Sequence, residues 1–123
     1  MIFIIEDDEI MAECIASAVK PAKSRHFSNG VTAMSALDQT LPSLIFLDIL
    51  LDGPDGFTFL NELASYQDTA KIPVVIISSL DFANQDLSSY GVVGKLDKAK
   101  MTPAEIKEYA QRFAWEGYCA APY

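Results

Sequence analysis

Four consecutive acids, Glu6, Asp7, Asp8 and Glu9, follow the apolar run Met1 to Ile5. A second apolar run, Leu44 to Leu47, stops at Asp48, and a third, Val74 to Ile77, stops at Ser78. Two lysines, Lys95 and Lys98, follow a shorter run that starts at Val92. Carboxylates crowded together repel one another, which raises their pKa values and costs stability unless a cation is present; a hard, oxygen-lined site of this kind suits Mg²⁺. Beside such an ion one carboxylate can attack a phosphoryl group, while the ion, a hydroxyl and an ammonium spread the charge on the transferring oxygens. Carboxylates are established covalent phosphoryl acceptors. The expected chemistry is phosphoryl transfer to a carboxylate, with Mg²⁺ as the cofactor.

These groups can meet only if the elements that carry them lie side by side. Short continuous apolar runs such as Met1 to Ile5, Leu44 to Leu47 and Val74 to Ile77 read as strands buried on both faces, hence as a parallel sheet covered by helices on both sides. Segments with helical period lie between and after them: Met11, Cys14, Ile15 and Ala18; Leu60, Leu63 and Ala64; and Ile106, Tyr109, Ala110 and Phe113. Each set is expected to face the core. Thr102, Pro103 and Glu105 give the last helix an N-cap, a first-turn proline and a capping box. Weaker signals place a strand around Arg25 to Phe27, a helix around Val31 to Leu37 after Asn29-Gly30, and a fifth strand near Val92 to Leu96. Segment 81–90, anchored only by Phe82 and Leu87 before Tyr90, predicts a lightly held helix. The pattern is βα repeated five times, an α/β fold. In such a sheet functional groups gather beyond the carboxyl ends of the strands, where the strand order reverses. There the acids, Ser78 and the lysines converge.

A chain of 123 residues that is 50% apolar, with no low-complexity linker, fits one compact soluble domain, expected to span 1–123. Seventeen acids against nine bases, a net charge of −8, argue against direct nucleic-acid binding, which needs a basic face. No apolar stretch approaches the roughly 20 residues that cross a bilayer, so no membrane insertion is expected. The start lacks the basic region of a secretion signal. Cys14 and Cys119 lie far apart without metal-ligand spacing, which fits reduced thiols in a cytoplasmic protein.

The stretches IFIIEDDE, LIFLDILLDGPDGF, IPVVIISS and KLDKAKMTPAEI, in this order, resemble the four signature regions of response-regulator receiver domains of two-component signalling. The resemblance spans essentially the whole chain and implies a flavodoxin-like, doubly wound (βα)5 fold with five parallel strands in the order 2-1-3-4-5. Carried over by position, it makes Asp48 the phosphoacceptor, Glu6 and Asp7 the acidic pair with Asp7 preferred as direct metal ligand, and the backbone carbonyl of Leu50 a further ligand. Ser78 matches the hydroxyl that bonds the phosphoryl group, and Gly56 the glycine eight residues after the acceptor. The lysine is either Lys98 or Lys95, because Ala99 stands where the family has proline after it; Lys98 is preferred for its distance from the T-P-A-E helix start. Lys95 then occupies the place of the family's aromatic switch residue. Asp52 replaces a common proline and is either a turn residue or a neighbour of the site. Leu50 and Leu80 would flank the water path to the phosphoryl group, and their apolar character is expected to slow self-hydrolysis.

The resemblance further implies a histidine kinase or histidine phosphotransfer protein as donor, and a downstream protein partner on the surface of the fourth and fifth helices and the fifth strand. No output domain is expected in the chain, and a homodimer through the last helices is as compatible with their pattern as packing within one domain. Three other readings stay open: a pseudo-receiver scaffold that is never phosphorylated, a small aspartyl-phosphate hydrolase, and a flavodoxin-type cofactor binder. Some residues carry a plainer expectation. Asp8 and Glu9 suit a helix N-terminus. His26 is expected to be a partly exposed strand residue away from the acidic edge. Trp115, Tyr118 and Tyr123 are expected to pack the last helix against the body.

Overall fold

The computed structural model describes residues 1–49, 56–78 and 91–114. Five parallel strands, β1 (Ile2–Ile5), β2 (Ser24–Phe27), β3 (Leu44–Asp48), β4 (Val74–Ser78) and β5 (Val92–Asp97), form one sheet in the order β2-β1-β3-β4-β5. This is the expected flavodoxin-like order, with its reversal between β1 and β3. The described helices are α1 (Glu9–Val19), α2 (Gly30–Leu37), α3 (Gly56–Ala64) and α4 (Pro103–Tyr109), the last continued by a π-helical turn over Ala110–Ala114. The helix expected around 81–90 lies outside the described residues, so α4 is the helix after β5. Leu50, Asp52, Leu80, Trp115, Tyr118, Cys119 and Tyr123 also fall outside them.

The strands are central because their side chains are apolar on both faces. All residues of β1, β3 and β4 are buried. Alternation then divides them between two layers. Phe3, Ile5, Ile45, Leu47, Val74 and Ile76 pack with Ala33 and Leu37 of α2 and Phe59, Leu60 and Leu63 of α3. Ile2, Ile4, Leu44, Phe46, Val75 and Ile77 pack with Ala12, Ile15 and Val19 of α1 and with Ile106 and Ala110. Each fully buried large side chain of this kind contributes roughly 1.5–3 kcal/mol.

Helix starts follow local chemistry. Asp8 accepts from the N–H groups of Ile10 and Met11 and so caps α1. Asn29 caps α2 through Thr32 N–H, and Thr102 with Glu105 forms the expected capping box of α4. Two expected stripes are corrected. In α1 Met11, Ile15 and Ala18 pack on the core as expected, joined by the buried Ala12 and Val19, but Cys14 is exposed, as is Ile10 at 76%. In α3 the buried face is Gly56, Phe59, Leu60 and Leu63, and Ala64 at the helix end is exposed.

One irregularity in β5 decides where its residues point. Val74 pairs with Val92, but Val75 pairs with Gly94, so Val93 is an extra residue. Val92 therefore packs on the α2/α3 side and Leu96 on the α1/α4 side, although they are four residues apart. Beyond the bulge, Lys98 has the same parity as Leu96.

Candidate functional site

Three carboxylate-rich or basic strand ends meet on one face. Glu6 lies two residues beyond Ile4, Asp48 two beyond Phe46 and Lys98 two beyond Leu96, and all three reference residues face the α1/α4 layer. Period-2 alternation thus carries Glu6, Asp48 and Lys98 to the same side of the sheet, at its carboxyl edge. Lys98 is held there by its backbone, since its N–H donates to the Ser78 carbonyl at 3.0 Å. The Asp97 side chain accepts from Ala99 N–H at 2.8 Å, and the Asp97 carbonyl accepts from Lys100 and Met101, which winds the loop tightly after Lys98.

Carboxylate oxygens of Glu6, Asp7 and Asp48 lie within 4.8 Å of one another. Glu6 and Asp48 are buried, at 1% and 3% exposure, whereas Asp7 is half-buried and opens the group to solvent. Lys98 Nζ lies 2.6 Å from Glu6 Oε1 and 3.0 Å from Asp48 Oδ2. Ser78 is buried at the end of β4, its Cα paired with Asp97, next to Ile77, whose Cα pairs with Asp48. The structure brings Glu6, Asp7, Asp48, Ser78 and Lys98 to one edge. Lys95 is not among them: it is exposed and sits beside Glu105, Glu108, Tyr109 and Arg112. The Leu50 carbonyl lies outside the described residues.

The four acids divide their labour. Asp8 is committed to capping α1 and Glu9 to its first turn, as the plainer reading of the sequence expects. Burial, and then the adjacent Asp48 carboxyl, push the Glu6 carboxyl up to about 8, against the pull of Lys98. Burial lowers the Lys98 ammonium, but its bonds to Glu6 and Asp48 and their charges outweigh that and hold it above its usual value.

Two features of this edge fit a divalent cation. Among the described residues no hydrogen-bond donor reaches the buried Glu6 Oε2. With all three carboxyls ionised, their charge exceeds that of the neighbouring Lys98 ammonium, and the donors are hard oxygens open to water on the Asp7 side.

His26 requires a correction. It is an exposed residue of β2, but it does not stand apart from the acidic edge: its ring Nε2 lies 2.6 Å from the Glu6 carbonyl oxygen. The sequence signal for this contact was confined to one polar residue in a short strand. Gly56, singled out by its spacing, starts α3 against the end of β3. A Cβ there would stand 2.6 Å from Ile49 Cα and 3.0 Å from the Asp48 carbonyl oxygen.

Comparison with known proteins places the chain in a family and agrees with its fold. The family model described as the response regulator receiver domain matches residues 2–111. Response regulator PleD of Caulobacter vibrioides is 42% identical over 53 residues, 43% of this chain and 12% of PleD. The chain spans less than half the length of the curated relatives it matches. Among solved structures, the receiver domain of NtrX from Brucella abortus superposes with a TM-score of 0.79 at 24% identity, covering 91% of this chain and 96% of that one. The phosphorylated cyanobacterial phytochrome response regulator RcpA gives 0.75 at 24% identity, with 94% of both chains covered. At such identity the two structures speak for the fold.

Proposed function

The chain belongs to the response regulator receiver domain family, and from that premise we propose that residues 1–123 form a single switch domain that takes a phosphoryl group on Asp48. The observation that carries this reading is the convergence of Glu6, Asp7 and Asp48 within 4.8 Å, bridged by Lys98, at the carboxyl edge of the sheet. Glu6 and Asp7 would hold Mg²⁺ together with Asp48 and the Leu50 carbonyl. When bound, the ion neutralises the acidic edge and the charge on the transferring oxygens.

In the transfer, a carboxylate oxygen of Asp48 forms a bond to phosphorus as the bond from phosphorus to the donor imidazole nitrogen breaks. The imidazole leaves with the electron pair. Lys98 stands 3.0 Å from Asp48 Oδ2 and supplies a fixed positive charge beside the acceptor. The Ser78 hydroxyl, at the end of the neighbouring strand, would bond a phosphoryl oxygen. The added charge then biases a two-state equilibrium, which a partner reads by binding one state better. The donor would be a histidine kinase or histidine phosphotransfer protein. The output surface would lie on β5, α4 and the segment before β5. Among the described residues no helix is long and apolar enough to cross a membrane. A cytoplasmic location is part of the proposal.

The test is intact mass after incubation with acetyl phosphate or phosphoramidate, with and without Mg²⁺, on the native chain and on Asp48→Asn. A Mg²⁺-dependent gain of one phosphoryl group that the substitution abolishes is expected. No gain in the native chain would favour a scaffold that is never phosphorylated, and a gain that survives Asp48→Asn would mean another acceptor.

A further inference from the structure

We infer that His26 is a positioning residue for the acidic edge: its imidazole holds the Glu6–Asp7 peptide so that both carboxylates face a divalent cation. This rests on the receiver reading of that edge. Nε2 lies 2.6 Å from the Glu6 carbonyl oxygen. A carbonyl only accepts, so Nε2 carries the hydrogen. Glu6 N–H in turn donates to the Phe27 carbonyl at 2.9 Å, so both backbone polar groups of Glu6 are bound to the β2 side.

The location of the bond matters more than its strength. β1 and β2 pair up to Ile5 and Phe27, and just beyond them the chain turns so that Asn29 can cap α2. At that step the His26 ring supplies a donor for the carbonyl of the last residue before the site opens. The Glu6 carbonyl belongs to the planar unit that also contains the Asp7 nitrogen. Fixing its oxygen fixes the rotation about the Cα–C bond of Glu6, and with it the peptide plane and the position of the Asp7 Cα from which the next side chain leaves. His26 is exposed, so apolar burial does not account for the ring's placement. Outer-sphere partners of ligand groups act in this way, and their loss typically weakens metal binding 10–100-fold.

The test compares Mg²⁺ affinity by titration calorimetry for the native chain, His26→Gln, His26→Asn and His26→Leu, with urea unfolding of each metal-free protein as a control. The glutamine amide nitrogen can take the place of Nε2, whereas that of asparagine ends short of the Glu6 carbonyl. His26→Gln is expected within about twofold of native, and His26→Asn and His26→Leu about tenfold weaker, with similar unfolding midpoints for Gln and Asn. Native affinity in His26→Asn, or equal weakening by Gln and Asn, overturns the inference and leaves the receiver reading standing. If Leu disturbs the fold, the Gln and Asn pair decides alone. A native chain that binds no Mg²⁺ overturns the receiver reading, and the role of His26 falls with it.

Discussion

Lys98 Nζ lies 2.6 Å from Glu6 Oε1, so an ammonium from the loop after β5 closes over a carboxylate from the end of β1. The same ammonium reaches Asp48 at 3.0 Å. In the metal-free protein this ammonium is shared between two buried carboxyl groups. Lys98→Met is therefore expected to lower metal-free stability at neutral pH by about 1–2 kcal/mol, less than a fully buried pair would cost because the lysine is partly exposed. Excess Mg²⁺ should narrow the gap by replacing the missing charge. Urea midpoints of both proteins with and without Mg²⁺ measure this, and an unchanged gap would show that lysine and ion do not share the site's charge.

Glu6 sets a pH dependence of opposite sign to an ordinary paired acid. Its folded-state value is raised from 4.5 to about 8, so between these values the folded chain holds a proton that the unfolded chain has released. Stability from this group is present below pH 4.5 and is lost as pH rises through about 8. Without divalent ions, Glu6→Gln should gain on the native protein steadily across that window. Mg²⁺ binding near pH 7 should release a proton from the native chain but not from the variant, as calorimetry in buffers of different ionisation heat would detect. Parallel pH profiles for the two proteins would contradict the assignment.

Gly56 lies so close to β3 that a methyl group there meets backbone at Ile49. Backbone cannot swing aside as a side-chain tip can. Gly56→Ala is expected to cost about 1–3 kcal/mol by overpacking and to displace the Asp48 end of the strand. Uptake of a phosphoryl group from acetyl phosphate should slow along with the fall in urea midpoint; a loss of stability with unchanged uptake would place the strain elsewhere.

Asp97 ties the loop that carries Lys98 by accepting from Ala99 N–H at 2.8 Å. Asp97→Ala should cost about 0.5–1.5 kcal/mol, the worth of one such bond, and loosen the lysine. Asp97→Asn keeps an acceptor oxygen and should behave nearly as native. Comparing phosphorylation rates of the two variants separates the turn bond from the charge, since equal slowing in both would assign the effect to charge.

Much of this was readable in the sequence because β1, β3 and β4 are apolar on both faces and each apolar run stops at a polar residue. That pattern places Glu6, Asp48 and Ser78 at one edge whatever the details. The last helix was equally plain, since Thr102, Pro103 and Glu105 satisfy its first turn locally. The stripe of α1 was legible in Met11, Ile15 and Ala18, but not the burial of Ala12, a weak signal, nor the exposure of Cys14 and of the bulky Ile10. Distance from the T-P-A-E helix start favoured Lys98 but left Lys95 as an alternative. The bulge at Val93 leaves Lys98, not Lys95, on the side that Leu96 faces, and a bulge is a property of strand pairing that no local run of residues announces. The His26 bond was hidden for the same reason: it depends on the register that sets His26 against Ile4.

The pairing of Lys98 with Glu6 also has a consequence for how the molecule comes into being. It joins the loop after the last strand of the sheet to the end of the first, and closing so long a span is entropically unfavourable until the strands between are in place. A nascent chain that has not yet emerged past β5 carries the acids of the edge but not the ammonium that reconciles them. The assembled edge is thus expected to form late in folding, in molecules whose sheet is complete.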